Sequence, residues 1–342
     1  MRATILTDIR NPGKSFEYSA QVKEVNAPEA QPHEAVVKIQ ATALNHRDVW
    51  ILKGQYFGIK TESVLGSDAV GQVVSSNDNS QVGKRVLLCP SVNWDSDPRG
   101  PETEMVCGIL GLLPSPGTFA ESINIDSKSV FPCPEHLSTE EAAALPLAGL
   151  TAYRAVFTKA QVQKGDHVLI TGIGGGVALF ALQFAVAAGA NVYVTSSSAD
   201  KINKAVELGA KGGINYKDSD AMAQLQKQLN GAKLSAIVDG AGGALFNEYL
   251  QVMRPGGYIV QYGQTASPSV SFTMNEVACN LELRGSTMGS RAEFKQMVKF
   301  VDKHKIRPIV SKVFHGLNQE NVDNAIDLLR THSQFGKVVI EI

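Results

Sequence analysis

Val168-Leu169-Ile170-Thr171-Gly172-Ile173-Gly174-Gly175-Gly176-Val177-Ala178 is the stretch whose reading decides the fold. A run of buried-strand character enters a glycine turn, and the apolar segment Leu179-Phe180-Ala181-Leu182-Gln183-Phe184-Ala185 follows as a helix. A turn of this kind lets backbone amides approach a pyrophosphate, and the helix N-terminus adds its partial positive charge. The usual G-x-G-x-x-G spacing is imperfect, because Ala178 stands where the last glycine falls. Alanine is still small enough for the helix to pack closely on the strand. A glycine cluster alone signals only a tight turn, so the surrounding pattern has to carry the reading.

That pattern is an alternation. Strands are predicted at 167–171, 191–195, 213–216, 236–239 and 258–262, with helices between them at about 175–188, 199–208, 219–229 and 244–253. Alternation of strand and helix specifies a parallel sheet covered on both faces, a doubly wound α/β domain. Upstream, Ala35–Leu44, Ala69–Ser75 and Arg85–Cys89 read as strands of a mostly β region. Residues 90–118 are irregular and rich in Pro and Gly, a long loop of the sort that covers a site. Ser138-Thr139-Glu140-Glu141 is a capping box opening a helix, which Pro146 breaks or kinks. A last segment predicts a helix at 292–304, a strand at 309–314, a helix at 319–329 and a strand at 337–342.

The tip of the second strand selects the dinucleotide. NAD sites usually place an acid there, about 20 residues past the turn, to hold the ribose hydroxyls. This chain offers Thr195-Ser196-Ser197-Ser198, and its first acid, Asp200, is followed at once by Lys201. A ribose phosphate is repelled by an acid and welcomed by hydroxyls and a lysine, so the expected cofactor is NADPH. Ser198 also suits the cap of the next helix, and the two roles are compatible.

The bulk properties narrow the class. A formal net charge of -1 gives no field to attract nucleic acid or an anionic membrane. The four cysteines, Cys89, Cys107, Cys133 and Cys279, are scattered, which argues against a disulfide framework and fits a reducing, cytoplasmic setting. The N-terminal residues lack the apolar run of a signal peptide. Residues 168–199 carry no charge, but glycines interrupt them twice, as a strand–turn–helix–turn–strand does and a membrane span does not.

With these residues in place, the chain resembles the medium-chain dehydrogenase/reductase superfamily, in its zinc-independent quinone oxidoreductase branch. The resemblance covers nearly the whole length. It rests on Asn45-x-x-Asp48, Gly66-Ser67-Asp68-x-x-Gly71, Gly117-Thr118-Phe119-Ala120-Glu121, Leu145-Pro146-x-x-Gly149-x-Thr151-Ala152-Tyr153 and the glycine turn. Leu208-Gly209-Ala210, Asn215-Tyr216, Arg254-Pro255-Gly256-Gly257 and Gly336-Lys337-Val338-Val339 add to it. The family implies a GroES-like catalytic domain, here 1–130 with 291–342, enclosing a Rossmann domain at 131–290, with the active site in the cleft between. It implies that Thr151, Gly174, Gly175, Gly176, Val177, Ser196, Ser197, Lys201, Tyr216, Gly240, Gly263 and Lys337 bind the cofactor, with Lys201 and Tyr216 near the ribose phosphate and Gly336-Lys337 near the nicotinamide. It also implies a homodimer through edge strands near 258–262 and 281–286.

The positions that match the catalytic zinc ligands of metal-dependent relatives are Asn45, Ser67 and Leu147, which cannot make a tetrahedral site. Residues 90–118, matching a four-cysteine structural lobe, hold only Cys107. No zinc is expected, and His46 reads as a hydrogen-bonded structural residue. Without a metal, hydrogen-bond donors must polarise the acceptor oxygen. The resemblance places Asn45 and Tyr56 in that site, Tyr56 as donor or as aromatic wall, with Asp48 organising the loop. Trp50 and Leu52 replace a tyrosine and an arginine common in bacterial quinone reductases and make the cleft more apolar. The expected activity is NADPH-dependent reduction of a quinone or α,β-unsaturated carbonyl. The alternatives are an alcohol or aldehyde dehydrogenase, and a non-catalytic NADPH-binding protein.

Overall fold

Six parallel strands form one sheet in the order Gly212–Asn215, Asn191–Ser196, His167–Ile170, Leu234–Asp239, Met253–Gln261, Glu282–Gly285. The computed structural model describes residues 1–10, 12–102, 108–267 and 269–342. The order reverses between the third and fourth strands, and a doubly wound sheet binds its ligand in the crevice at that switch point. Val168, Leu169 and Ile170 are fully buried, as a strand covered on both faces requires. Helices Gly176–Ala187, Ala199–Glu207 and Ala221–Leu229 connect the strands. The connection Ala244–Gln251 is a 3-10 helix where the sequence predicts an α-helix. It is entered through Gly242 and Gly243, both at positive φ.

This sheet belongs to a compact unit of Gly149–Met288; a second unit comprises Met1–Ala148 and Gly289–Ile342. Their limits differ from the expected 130/131 and 290/291, because helix Thr139–Ala144 packs against the strands of the second unit's sheet. Ser138 caps that helix in the predicted box, and Pro146 ends it by starting a new one, Pro146–Tyr153. The sheet runs Val310–His315, Lys337–Glu341, Glu34–Ala43, Asp68–Ser75, Arg85–Leu88, Val130–Pro132, with Ser122–Asp126 also paired to Glu34–Ala43. Elements without a legible signal include the antiparallel strands Arg2–Thr7 and Ser19–Glu24 and helix His46–Leu52. That helix packs Val49, Ile51 and Leu52 into a core with Leu6, Phe119 and Ile326.

Within the loop of residues 90–118, Ser91–Val92 pairs with Gly108–Ile109 and Trp94 is buried. Cys107 lies outside the described residues. Among those described, no helix is long and apolar enough to cross a membrane.

Candidate active site and cofactor site

In the unit built from both chain ends, Asn45 precedes helix His46–Leu52. Its backbone N–H donates to Asp48 Oδ2 at 2.8 Å and its carbonyl accepts from the Asp48 N–H at 2.9 Å. The reciprocal bond ties Asp48 to the start of the helix. The Asn45 side chain turns inward instead of capping the helix. Its Nδ2 donates to Asp68 Oδ2 at 2.9 Å, and its Oδ1 accepts from Lys337 Nζ at 2.6 Å. Lys337 Nζ donates twice more, to Asp68 Oδ2 at 2.8 Å and to the Leu44 carbonyl at 2.7 Å. Asp68 Oδ1 accepts the Leu147 N–H at 2.6 Å. Asp68 is 0% and Lys337 4% exposed, so this is a buried ion pair whose polar atoms are hydrogen-bonded on several sides. All three ammonium protons are used here.

The arrangement bears on the metal question. Asn45 is held between Asp68 and Lys337, Ser67 Oγ accepts from Arg47 Nη1 at 2.7 Å, and Leu147 brings a backbone N–H. An amide, an engaged hydroxyl and an N–H donor do not fit a tetrahedral zinc. Among the described residues no group of three His, Cys, Asp or Glu side chains could hold a metal ion.

Tyr56 stands apart from this network. It lines a cavity of ≈ 400 Å³ together with Arg47, Leu110 and Leu112. The Arg47 guanidinium lies over its ring, 5.1 Å from the centroid. Asn45, Trp50 and Leu52 are not among the lining residues; Leu52 is core and Trp50 carries the Lys53 ammonium over its ring. His46 is a structural residue with a partner: its Nε2 lies 3.1 Å from His332 Nδ1, and the rings stack.

The other unit holds the glycine turn. Gly172 and Gly174 have φ of +66° and +120°, conformations that favour glycine. Gly175 caps the helix that starts at Gly176 and continues through Val177. The Lys201 side chain lies over Gly174: a Cβ there would fall 2.9 Å from Lys201 Cδ. Burial, with Lys204 adding to it, holds the Lys201 ammonium below the usual lysine range. Ser198 caps helix Ala199–Glu207, Ser196 is buried, Ser197 is exposed, and Tyr216 is 46% exposed with its N–H on the Ser196 carbonyl. Thr195 ties strand tip to turn, accepting from the Gly172 N–H on its hydroxyl and the Ile173 N–H on its carbonyl.

At the switch point, Thr171 Oγ1 donates to the buried Asp239 Oδ1 at 2.6 Å and accepts from the Gly240 N–H at 3.0 Å. Asp239 also takes the N–H groups of Ala241 and Gly242. Gly240 packs on the Tyr262 ring with no room for a Cβ, and Gly263 lies against the Gly240 carbonyl. Thr151 is buried in Pro146–Tyr153 with its hydroxyl on the Met288 sulfur. A bare glycine cradle at a helix N-terminus, flanked by hydroxyls and a lysine, fits a phosphorylated dinucleotide.

The chain matches the family descriptions "Alcohol dehydrogenase GroES-like domain" over residues 31–135 and "Zinc-binding dehydrogenase" over 176–303. It is 41% identical over 345 residues to the zinc-type alcohol dehydrogenase-like protein YogA of Leptosphaeria maculans, covering 96% of each chain. The chain belongs to the medium-chain dehydrogenase/reductase superfamily. It is an oxidoreductase of that superfamily, with the GroES-like and Rossmann-type domains the sequence predicts. The acryloyl-coenzyme A reductase of Metallosphaera sedula is 26% identical over 336 residues, covering 96% of this chain and 98% of the relative. A solved NAD-dependent alcohol dehydrogenase superposes with a TM-score of 0.88 at 31% identity, covering 100% of both chains.

In this dehydrogenase/reductase, sequence reasoning missed Arg47, Asp239 and His332. It quoted Asp68 only as part of a motif. Asp68 opens the buried run Asp-Ala-Val-Gly of its strand, where a fully buried acid demands a buried cation; that signal was available.

Removing one partner of a buried ion pair leaves a charge unpaired, at a cost of about 3–5 kcal/mol. Lys337→Met should lower the unfolding free energy by that amount in urea titrations, and adding Asp68→Asn should recover part of the loss. A loss below about 1 kcal/mol, the range of exposed pairs, would show that the pair is not desolvated.

Two neighbours give the fold opposing pH responses. Burial, with the charges of His332, Lys337 and Lys53 adding to it, holds His46 down at about 4, against an ordinary 6.5. Burial raises Asp48 to about 6, against 3.8, with Arg47 and the Asn45 N–H opposing the rise. The His46 contribution is therefore present above pH 6.5 and lost as pH falls towards 4. The Asp48 contribution is present below pH 3.8 and lost as pH rises through 6. Urea midpoints measured from pH 4 to 7.5 should fall less steeply on the acid side in His46→Asn, and more steeply in Asp48→Asn.

Proposed function

We propose that this chain is an NADPH-dependent reductase of a quinone or α,β-unsaturated carbonyl that works without a catalytic metal. The observation that carries the reading is the closed network at Asn45, Asp68, Leu147 and Lys337. Asn45 and Leu147, two of the positions matching ligands of metal-dependent relatives, are bonded to the Asp68–Lys337 pair, which supports the metal-free reading. The reductase named for acryloyl-coenzyme A among the relatives supports a conjugated acceptor. An alcohol dehydrogenase reading is favoured by the names of other relatives, but it needs ligands these positions do not supply.

When bound, NADPH supplies a hydride from its nicotinamide ring. The residues of the chain do the rest. The amides of the Gly174–Gly176 turn would hold the pyrophosphate, and Ser196, Ser197, Lys201 and Tyr216 would hold the ribose phosphate. Tyr56 offers its phenol to the acceptor oxygen, and its ring forms a wall of the apolar cavity. Asn45 and Asp48 hold the start of the helix that carries Arg47. The exposed edge strand Glu282–Gly285 is where a second copy pairs to make a homodimer.

Cofactor choice is testable by fluorescence titration. NADPH should bind more tightly than NADH, and Lys201→Ala should weaken NADPH alone by about 1–3 kcal/mol, the worth of a charge-assisted hydrogen bond. Equal affinity for the two cofactors in the unaltered protein would contradict the assignment.

The chemistry is testable by NADPH oxidation across quinones, enones and aldehydes. Activity should survive dialysis against chelator, and elemental analysis should find no stoichiometric zinc. Tyr56→Phe keeps the ring and removes the hydroxyl, so turnover should drop about 10²-fold if the phenol acts in the transition state. Full turnover in Tyr56→Phe would leave the residue as a wall only, and one zinc per chain with activity lost to chelator would overturn the metal-free reading.

A further inference from the structure

The second unit holds a buried cation that the proposed function does not yet use. Arg47 is 8% exposed. Among the described residues only its Nη1 is hydrogen-bonded, to Ser67 Oγ at 2.7 Å and the Leu110 carbonyl at 2.9 Å, both uncharged oxygens. Its Nε is buried without an acceptor. Among the described residues the nearest carboxylate oxygen, Asp48 Oδ1, lies 3.9 Å from Nη1, beyond hydrogen-bond reach, and is itself buried without a hydrogen-bond partner. A guanidinium is always protonated and presents a planar fork of donors. Leaving part of that fork unmatched in a desolvated place costs free energy unless a ligand completes it.

The cavity that Arg47 lines indicates what the ligand is. Its volume of ≈ 400 Å³ falls within the range of small-molecule sites, roughly 300–1,000 Å³. Tyr56, Phe57, Leu110 and Leu112 give it flat and apolar walls. The other arginine on its lining, Arg291, is already neutralised by Asp95 at 2.5 Å and Asp126 at 3.3 Å. Glu34, also on the lining, is used locally, accepting from the Gln31 N–H at 2.8 Å. Arg47 is thus the cavity's cation with donor capacity to spare, beside an aromatic face. With Nη1 bonded and Nε closed off, Nη2 is the donor left for a ligand; a carboxylate suits this charged donor, and a planar conjugated body matches the walls.

We propose that Arg47 is a specificity-determining residue that grips the carboxylate of a planar, conjugated acid in this cavity. The assignment rests on the reductase reading for its function, because it makes the acceptor an unsaturated carboxylic acid rather than a neutral quinone. It is a statement about binding, so it is tested without turnover.

The probe pair is trans-cinnamate and its methyl ester, which share shape and conjugation and differ in charge. In calorimetric titrations of the full-length protein, cinnamate should bind about tenfold or more tightly than the ester, a difference of about 1.4 kcal/mol. Arg47→Lys keeps the charge and loses the oriented Nη2 donor; it should weaken cinnamate about tenfold and leave the ester unchanged. Ser67→Ala removes an oxygen that fixes the guanidinium and should give a smaller loss of the same kind. NADPH titration of each variant, and its circular dichroism, check that the fold is intact. Should the Arg47 variant fail to fold, the acid-against-ester comparison on the unaltered protein still decides. Equal binding of acid and ester, no binding of cinnamate at millimolar concentration, or full cinnamate affinity in Arg47→Lys would overturn the proposal. The two readings fail separately. Arg47-dependent cinnamate binding without NADPH oxidation on any acceptor sinks the reductase reading alone. Turnover of neutral quinones with no cinnamate binding sinks this one alone.

Discussion

The Asp68–Lys337 ion pair is the constraint around which the catalytic unit is arranged. Asp68 opens the Asp68–Ser75 strand and Lys337 opens Lys337–Glu341, strands that both pair with Glu34–Ala43 from opposite sides. Neither charge meets water, so each depends on the other and on the oxygens and N–H groups around them. That requirement fixes the ends of three strands, the Asn45 side chain and the Leu147 backbone relative to one another. The chain's last strand is thereby tied to its first third, which is how segments almost 300 residues apart can build one site.

The same pair divides the polar groups nearby into spent and available. Lys337 has no proton left to offer, and Asn45 is fixed at both ends of its amide. Asp48 is committed through one oxygen to the helix start. Arg47 sits between these residues in sequence yet faces the other way, into the cavity with Tyr56. One turn of helix therefore carries a closed, buried network on one side and a cavity-lining cation on the other. Substitutions on its two sides have different signatures: loss of stability on one, altered binding on the other.

Much of this was legible in the sequence, for a physical reason. The parallel sheet announces itself because buried strands are uniformly apolar and the turns between strand and helix need glycine, as at Gly172 and Gly174. The capping box at Ser138 and the stop at Pro146 are local chemistry and fall where predicted. Helix His46–Leu52 was not legible. It spans barely two turns, and its charged residues Arg47 and Asp48 are buried, so its pattern shows no polar face. The strand Met253–Gln261 begins earlier than predicted, since Pro255-Gly256-Gly257 reads as a turn but is carried as an irregularity in the ladder. Partnerships such as His46 with His332, or Thr171 with Asp239, join residues whose separation carries no periodic signal. Only the folded chain brings them together.

What a metal-free site must provide is a fixed field that does not relax as charge moves to the acceptor oxygen. In the reading proposed above, a flexible surface lysine would serve poorly, because its reorganisation would absorb the benefit. A guanidinium held at Nη1 by Ser67 and Leu110, with an aromatic ring 5.1 Å away, is already oriented. The position matching a zinc ligand, Ser67, is then not an empty relic. It accepts from Arg47 Nη1, so in the proposed reading a residue matching a metal ligand orients a cation instead.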